Sequence, residues 1–275
     1  MAAVNYRHAF HAGNFGDCVK HAVLVWLLRA LQRKPAPLCV LDTHAGIGCY
    51  DLDTGPAART EEWRRGIGRL LDNPPPLLTD YVGLVLSLGL YPGSPAIARA
   101  LLRPDDRLVC CELHPEDAPS LRCHFAGDTQ VAVHHRNAWE ALGALLPPRE
   151  RRGLVLIDPA FEDPREFAAL TLGLATGWQR FRTGVFAAWY PIKQRAPVRQ
   201  FLADVEQSGM RDIVIAELCL REPVDPARLN GCGMLVVNPP YRFEQEVPAI
   251  LTALLGRLSD GEPGEAAAVR RIVDE

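Results

Sequence analysis

The sequence predicts an α/β protein built on a doubly wound, seven-stranded, mostly parallel sheet. Seven short apolar runs recur along the chain, and helix-like stretches separate most of them, which is the alternation typical of such a sheet. With 275 residues, of which 48% are hydrophobic, the chain can bury a sizeable core. We therefore expect one domain over residues 1–275.

The predicted elements begin with a helix. From Asp17, a plausible N-cap, apolar residues recur with helical spacing as far as Leu31. The apolar runs that follow have the length of strands, and the last two are close enough to form an antiparallel pair. These runs are residues 38–41, 108–111, 131–133, 154–157, 185–189, 213–220 and 234–237.

An insertion separates the first two strands. More than sixty residues lie between them, whereas a whole β-α-β unit needs about 30. Helix-like pieces occur at residues 63–71 and 81–90, and a further helix is expected at 95–102 with Ser94 as its N-cap. We expect a helical insertion subdomain over residues 50–104.

Charge and composition exclude two classes of protein. A formal net charge of −3 argues against a protein that coats nucleic acid by bulk electrostatics, so any nucleic-acid contact must be local. Residues 1–34 are rich in Arg, Lys and His, although Arg29, Arg33 and Lys34 equally fit a solvated helix face.

No apolar run is long enough to span a bilayer, and no leader opens the sequence, so we expect no membrane association and a cytoplasmic location. The eight cysteines are scattered, which favours reduced, mostly buried thiols.

The first strand ends in a glycine turn at residues 41–48 (LDTHAGIG). Ligands of open α/β folds bind at the carboxyl edge of the sheet, where this turn would lie. Asp51 stands where a dinucleotide fingerprint has its third glycine, so a methyl donor with no pyrophosphate is the better ligand. The alternative is an ordinary strand-to-helix turn.

Polar residues also follow the second and third strands. Glu112 can accept both hydroxyls of a ribose, and Asn137 can accept from an adenine amino group. Each residue taken alone is more often a turn or helix cap than a ligand. Together with Asp42 they indicate a site for a nucleoside-containing ligand.

The fourth strand ends in Asp158-Pro159-Ala160-Phe161. An adenine N6 amine is a poor nucleophile, so an enzyme must orient it. Asp158 and the Pro159 carbonyl can accept its two N–H groups, Phe161 can stack on the base, and Asp158 can take the released proton. The competing interpretation is a helix N-cap followed by proline in the first turn.

A second motif, Asn238-Pro239-Pro240-Tyr241, is literally closer to the Asn-Pro-Pro-Tyr form found in amino-methyltransferases. It follows the last of the predicted strands, whereas the amine-binding loop of this fold follows the fourth. We therefore interpret it as a structural turn or a part of the substrate wall.

The N-terminal segment interleaves aromatic and basic residues at residues 6–17 (YRHAFHAGNFGD), as expected of a segment that stacks on nucleotides. A metal site made from His8, His11, His21 and His44 is disfavoured, because no carboxylate or cysteine stands at ligand spacing and methyl transfer needs no metal. We expect no metal.

Together these residues resemble the bacterial J-type 23S rRNA (adenine-N6) methyltransferases. The resemblance runs nearly end to end. The matching blocks are residues 6–8 (YRH), 10–14 (FHAGN), 20–21 (KH), 41–46 (LDTHAG), 91–95 (YPGSP), 112–115 (ELHP), 153–159 (GLVLIDP), 189–191 (WYP) and 238–240 (NPP).

The resemblance implies a class I S-adenosylmethionine-dependent methyltransferase with a helical insertion, acting on one adenine of large-subunit rRNA. It implies that Asp158 is catalytic and also contacts the donor, and that Tyr6, Pro159 and Phe161 meet the substrate. The other residues implied at the cofactor site are Lys20, His21, His44, Gly46, Ser94, Glu112, Asn137 and Ala138.

Two departures from the family pattern bear on the site. Asp158-Pro159-Ala160-Phe161 replaces the usual Asp-Pro-Pro-Tyr, and Asn137-Ala138 replaces the usual Asp-Gly. The rival hypotheses are a DNA adenine or protein amide methyltransferase, and a non-catalytic RNA-binding protein with a decayed site. RNA is the expected partner, and no obligate protein partner is indicated.

Overall fold

A computed structural model describes residues 7–163 and 165–275. Its strands are β1 (Cys39–Asp42), β2 (Cys49–Tyr50), β3 (Tyr91–Pro92), β4 (Arg107–Glu112), β5 (Val131–His135), β6 (Gly153–Ile157), β7 (Val185–Ile192), β8 (Ile213–Cys219), β9 (Gly231–Val237) and β10 (Ala266–Val273). Its α-helices are α1 (Phe15–Gln32), α2 (Ala57–Thr60), α3 (Gly68–Leu71), α4 (Thr79–Ser87), α5 (Ser94–Leu101), α6 (Asp117–His124), α7 (Ala138–Ala144), α8 (Glu166–Arg180), α9 (Arg195–Gln207) and α10 (Phe243–Leu258).

Eight of the described strands form one sheet, in the order β10-β8-β9-β7-β6-β1-β4-β5. The five strands from β7 to β5 are parallel, and β9 is antiparallel to both β7 and β8. The predicted fold class is confirmed, and all seven predicted strands are present. The count of seven is wrong by one, because β10 pairs antiparallel with β8 at the sheet edge.

The central strands are buried because helices cover both faces of the sheet. β1 and β6 are buried along their whole length, as expected of parallel strands covered on two sides. Alternate residues of β6 contribute to the hydrophobic cores on opposite faces of the sheet. Leu154 and Leu156 belong to the core that contains α1 and α10, and Val155 and Ile157 belong to the core that contains α7, α8 and α9.

Helix α1 begins three residues earlier than the sequence predicted. Asn14 is the N-cap, and its side-chain oxygen accepts from the backbone N–H of Asp17. Asp17 is therefore inside the first turn, where its side chain is free to point into the protein. The helix packs against α5 and α10, and most of its residues are buried.

The chain between β1 and β4 contains α2 to α5, a 3-10 helix at Glu62–Arg65 and the small antiparallel pair of β2 and β3. Ser94 is the first residue of α5 and not its N-cap, which is Gly93, so the cap prediction was wrong. The Ser94 hydroxyl instead donates to the Asp42 carboxylate at 2.6 Å. This bond ties the start of α5 to the end of β1.

Candidate active site

A cavity of about 610 Å³ opens at the carboxyl edge of the parallel strands. The ends of β1, β4, β6 and β7 all contribute residues to it, as expected where ligands bind in open α/β sheets. It is lined by all of the candidate site residues that the structure describes: Lys20, His21, His44, Gly46, Ser94, Glu112, Asn137, Ala138, Asp158, Pro159 and Phe161. The remaining candidate, Tyr6, lies outside the described residues.

A buried ion-pair network joins α1 to the end of β6. The Lys20 Nζ lies 2.5 Å from the Asp158 Oδ2 and 2.7 Å from the Asp17 Oδ1. Burial alone would lower the pKa of Lys20, but these two carboxylates outweigh it and raise that pKa well above its ordinary value. Lys20 is therefore a permanent cation that holds one oxygen of Asp158.

Asp17 organises the other half of this network. Its Oδ2 accepts from the backbone N–H of Gly13 at 2.9 Å and lies 3.0 Å from the His8 Nε2. Burial would raise its pKa, but the charges of His8 and Lys20 dominate and hold the pKa well below its usual range. The prediction that Asp17 caps the helix was therefore wrong; its i,i+3 spacing to Lys20 is the signal in the sequence that brings the two side chains together.

The turn after β1 fixes the ring of His44. The His44 Nδ1 lies 2.9 Å from the Thr43 Oγ1 and 3.3 Å from the backbone nitrogen of Asp158. Burial lowers the pKa of His44 to about 4, so the ring stays neutral at physiological pH. The neighbouring Asp42 is fully enclosed, and burial raises its pKa to about 6.

Glu112 supports the glycine turn from the neighbouring strand. Its two carboxylate oxygens accept from the backbone N–H groups of Gly46 at 2.8 Å and His114 at 2.7 Å. Gly46 has a φ of +61°, and an added Cβ would clash with the Tyr50 hydroxyl. The turn therefore requires glycine here, both for its backbone conformation and for the lack of space.

Asn137 is the N-cap of α7. Its Oδ1 accepts from the backbone N–H groups of Trp139 at 2.9 Å and Glu140 at 3.3 Å. The expected oxygen acceptor for an adenine amine is thus engaged by the helix, and the Asn137 amide group is the part that can face a ligand. Ala138 follows as the first helical residue and also lines the cavity.

His21 carries an unsatisfied polar atom into the cavity. Its side chain is fully buried, and its Nδ1 lies 3.0 Å from the Tyr91 hydroxyl. Within the described residues its Nε2 has no hydrogen-bond partner, and the nearest carboxylate oxygen, of Asp17, is 4.0 Å away. Burial lowers the pKa of His21 to about 3, so the ring is neutral.

The loop after β6 is not a helix start. α8 begins only at Glu166, so Asp158 and Pro159 do not form the N-cap and first turn that were the alternative interpretation. Phe161 has a φ of +54°, an uncommon conformation for a bulky residue. Its ring is held against those of Phe167 and Trp189, with centroids 4.9 and 6.0 Å away.

The second motif, Asn238-Pro239-Pro240-Tyr241, lies away from the cavity. Because β9 runs antiparallel to β7, its last residue is at the opposite edge of the sheet from Asp158. The side-chain amide of Asn238 donates to the carbonyls of Arg182 at 2.8 Å and Gly184 at 2.7 Å, and Tyr241 is 86% exposed. Asn238 therefore forms a structural turn and does not line the cavity.

The described part of the N-terminal segment lines the cavity with His8, His11 and Asn14. Arg7 pairs with Glu116 at 2.9 Å, and His11 lies 3.0 Å from Glu62. The carboxylate of Glu62 raises the pKa of His11. The segment is thus attached on one side to α6 and on the other to the 3-10 helix of residues 62–65.

Two features are absent from residues 7–163 and 165–275. No group of three or more His, Cys, Asp or Glu side chains is arranged to hold a metal ion. No helix there has the length and apolar character needed to cross a membrane.

Residues 35–271 match the family described as ribosomal RNA large subunit methyltransferase D, RlmJ. The chain belongs to the RlmJ family. It is 40% identical over 271 residues to ribosomal RNA large subunit methyltransferase J of Escherichia coli strain K12, covering 96% of this chain and 97% of that protein. The protein of the same name from Haemophilus influenzae is 39% identical over 260 residues, covering 91% and 92%.

The RlmJ resemblance inferred from the sequence is thereby confirmed. A crystal structure of a Legionella pneumophila protein matches the fold with a TM-score of 0.86 at 35% identity, covering 94% of this chain and 98% of that one. The family and the two relatives from Escherichia coli and Haemophilus influenzae are thus described as ribosomal RNA methyltransferases.

Proposed function

We propose that this RlmJ-family chain transfers a methyl group from S-adenosylmethionine to the N6 amino group of one adenine in large-subunit (23S) rRNA. The observation that carries the proposal is the carboxylate of Asp158, held by the buried Lys20 at the floor of a cavity large enough for a donor and a base. This is the arrangement expected for orienting an amine, and it argues against a decayed site.

The residues around the glycine turn fit the methyl donor. The Glu112 carboxylate has about four acceptor positions, of which backbone N–H groups use two, so it can still accept ribose hydroxyls. The partnerless Nε2 of buried His21 calls for a polar group of a ligand. Lys20, His44, Gly46, Ser94, Asn137 and Ala138 complete the proposed donor site. When bound, S-adenosylmethionine supplies a methyl group activated by the positive charge on its sulfur.

The loop after β6 fits the target adenine. Lys20 engages the Oδ2 of Asp158, so Oδ1 can accept one N–H of the amine, and the Pro159 carbonyl can accept the other. The Phe161 ring can stack on the base, and Tyr6 is proposed to contact it from the N-terminal segment. Asp158 then takes the proton that the amine releases.

A competition between substrate classes tests the proposal. The enzyme is incubated with labelled donor and, side by side, total RNA, duplex DNA and a protein extract. We expect label in RNA alone, as N6-methyladenosine in 23S rRNA, and we place its action in the cytoplasm, where that RNA is made and assembled. Label in DNA or protein would contradict the assignment, as would unchanged 23S rRNA nucleosides in a deletion strain.

A further inference from the structure

Four cationic side chains stand around the mouth of the cavity that contains Asp158. They are Arg65, Lys193, Arg221 and Arg228, and we call them the basic rim. They come from distant parts of the chain: the 3-10 helix of the insertion, the residue after β7, and the loop between β8 and β9. The overall charge of the protein is negative, so a cationic mouth is a local feature.

Strand direction explains why these loops meet. β8 and β7 are both antiparallel to β9, so the ends of β7 and β8 lie at the same edge as the start of β9. Buried Asn230 then joins the two loops, because its side-chain amide donates to the carbonyls of Lys193 and Asp225, each at 2.8 Å. The cations are thus carried on a fixed backbone.

The charges of the rim are only partly neutralised. Glu262 lies 2.8 Å from Arg221 and 3.1 Å from Arg228, so one carboxylate serves two cations. Exposed Lys193 and Arg65 form no ion pair with any residue that the structure describes. Two other acids line the cavity near the rim: Asp260 is engaged by Arg69 at 2.5 Å, and Glu62 lies 3.0 Å from His11.

We propose that the basic rim binds the phosphates of the RNA strand on either side of the adenine that enters the cavity. This rests on the proposed function for the identity of the polymer. A base that reaches Asp158 must leave its stack, so its flanking phosphates pass over the mouth, where fixed cations hold the strand in register. The rim serves substrate binding and takes no part in the transfer step.

The chain offers an internal control for this proposal. It contains three lysines: Lys20 is buried, while Lys193 on the rim and Lys34 after α1 are exposed. Lys34 and exposed Arg211 precede β1 and β8, which places them at the opposite edge of the sheet. Neither forms an ion pair with a described residue, so Lys34 and Arg211 match Lys193 and Arg65 in charge and exposure.

The first experiment measures binding of a 23S rRNA fragment against salt concentration. The Arg65→Ala/Lys193→Ala variant should reduce the slope of log K against log salt by about 1.4, which is about 0.7 for each lost phosphate contact. Its KM for RNA should rise while kcat at saturating RNA and donor affinity are unchanged. The Lys34→Ala/Arg211→Ala variant should behave as wild type.

The second experiment is acetylation of the wild-type protein with an amine-reactive ester, with and without the RNA. RNA should protect Lys193 and leave Lys34 reactive. An unprotected Lys193, or an unchanged salt slope in the rim variant, overturns the proposal even if the enzyme methylates RNA. Protection of Lys193 in a protein that binds but does not methylate RNA would support the rim and contradict the proposed activity.

Discussion

Replacing Asp158 by asparagine removes the negative charge at the proposed catalytic position while keeping the size and shape of the side chain. The Asp158 Oδ2 is 2.5 Å from the ammonium of Lys20, which can only donate hydrogen bonds. The introduced side-chain amide would therefore turn its oxygen toward Lys20 and its NH₂ toward the target amine. Two donors would then face each other, and both the orientation of the amine and the proton acceptor would be lost.

The expected loss in turnover follows from these two roles. A positioned acid–base group contributes about 10²- to 10⁴-fold, equivalent to about 3–5 kcal/mol of transition-state stabilisation. The fold should survive, because Lys20 keeps Asp17 at 2.7 Å and is not left as an unpaired buried charge. Donor affinity should change far less than turnover, and Asp158→Ala should fall in the same range.

Single-turnover methylation of RNA at saturating donor measures this loss, and calorimetry measures donor binding. Asn238→Ala is the matched control, since Asn238 is in the literally similar motif but lies at the opposite edge of the sheet. Its turnover should stay close to wild type. An active Asp158→Asn enzyme beside an inactive Asn238→Ala enzyme would refute the assignment of Asp158.

Three further predictions address the donor site. Glu112→Ala should weaken donor binding by about 1.5–3 kcal/mol through lost ribose contacts, and unchanged calorimetric affinity in the folded variant would remove Glu112 from the site. Gly46→Ala should cost at least about 1–2 kcal/mol in stability from its φ of +61°, and weaken donor binding, whereas Gly256→Ala, which has open space around it, should do neither in denaturation and binding assays. Because burial lowers the pKa of His21 to about 3, its contribution to stability is complete above pH 6.5 and is lost as pH falls, by about 2 kcal/mol at pH 5. Urea denaturation at pH 7.5 and 5 should show this loss in wild type and a smaller one in His21→Asn; equal losses would contradict it.

Buried apolar runs made most of the fold predictable. Six of the seven predicted strands pair with a neighbour on both sides, and most of their residues are buried, so each contains a continuous apolar run. The seventh, β5, is a half-buried edge strand that was predicted from Val131-Ala132-Val133 alone. The other edge strand, β10, was not predicted, because most of its side chains alternate between exposed and half-buried and it has no continuous apolar run. Three alanines and the pair Arg270 and Arg271 interrupt the pattern of apolar residues by which a strand is predicted.

Which side chains line the cavity was predictable from the sequence where a single strand end supplies a single side chain. It was less predictable where side chains from helices meet. Glu112 and Asp158 follow from strand position alone. The role of Asp17 depends on where α1 begins: with Asn14 as the cap, its carboxylate turns inward to Lys20 and His8. Because the helix starts three residues earlier than predicted, Asp17 is at the centre of a buried network and not at a surface cap.

Strand direction also explains why literal similarity was a poor guide to the proposed amine-binding loop after β6. An antiparallel strand inserted between β7 and β8 carries its own end to the far edge, so Asn238-Pro239-Pro240-Tyr241 cannot reach the cavity whatever its sequence. The loop that does reach it has Ala160 in place of a second proline. Its shape is instead maintained by packing, because Phe161 at positive φ contacts Phe167 and Trp189. Aromatic contacts thus supply the rigidity that a Pro-Pro pair would otherwise give.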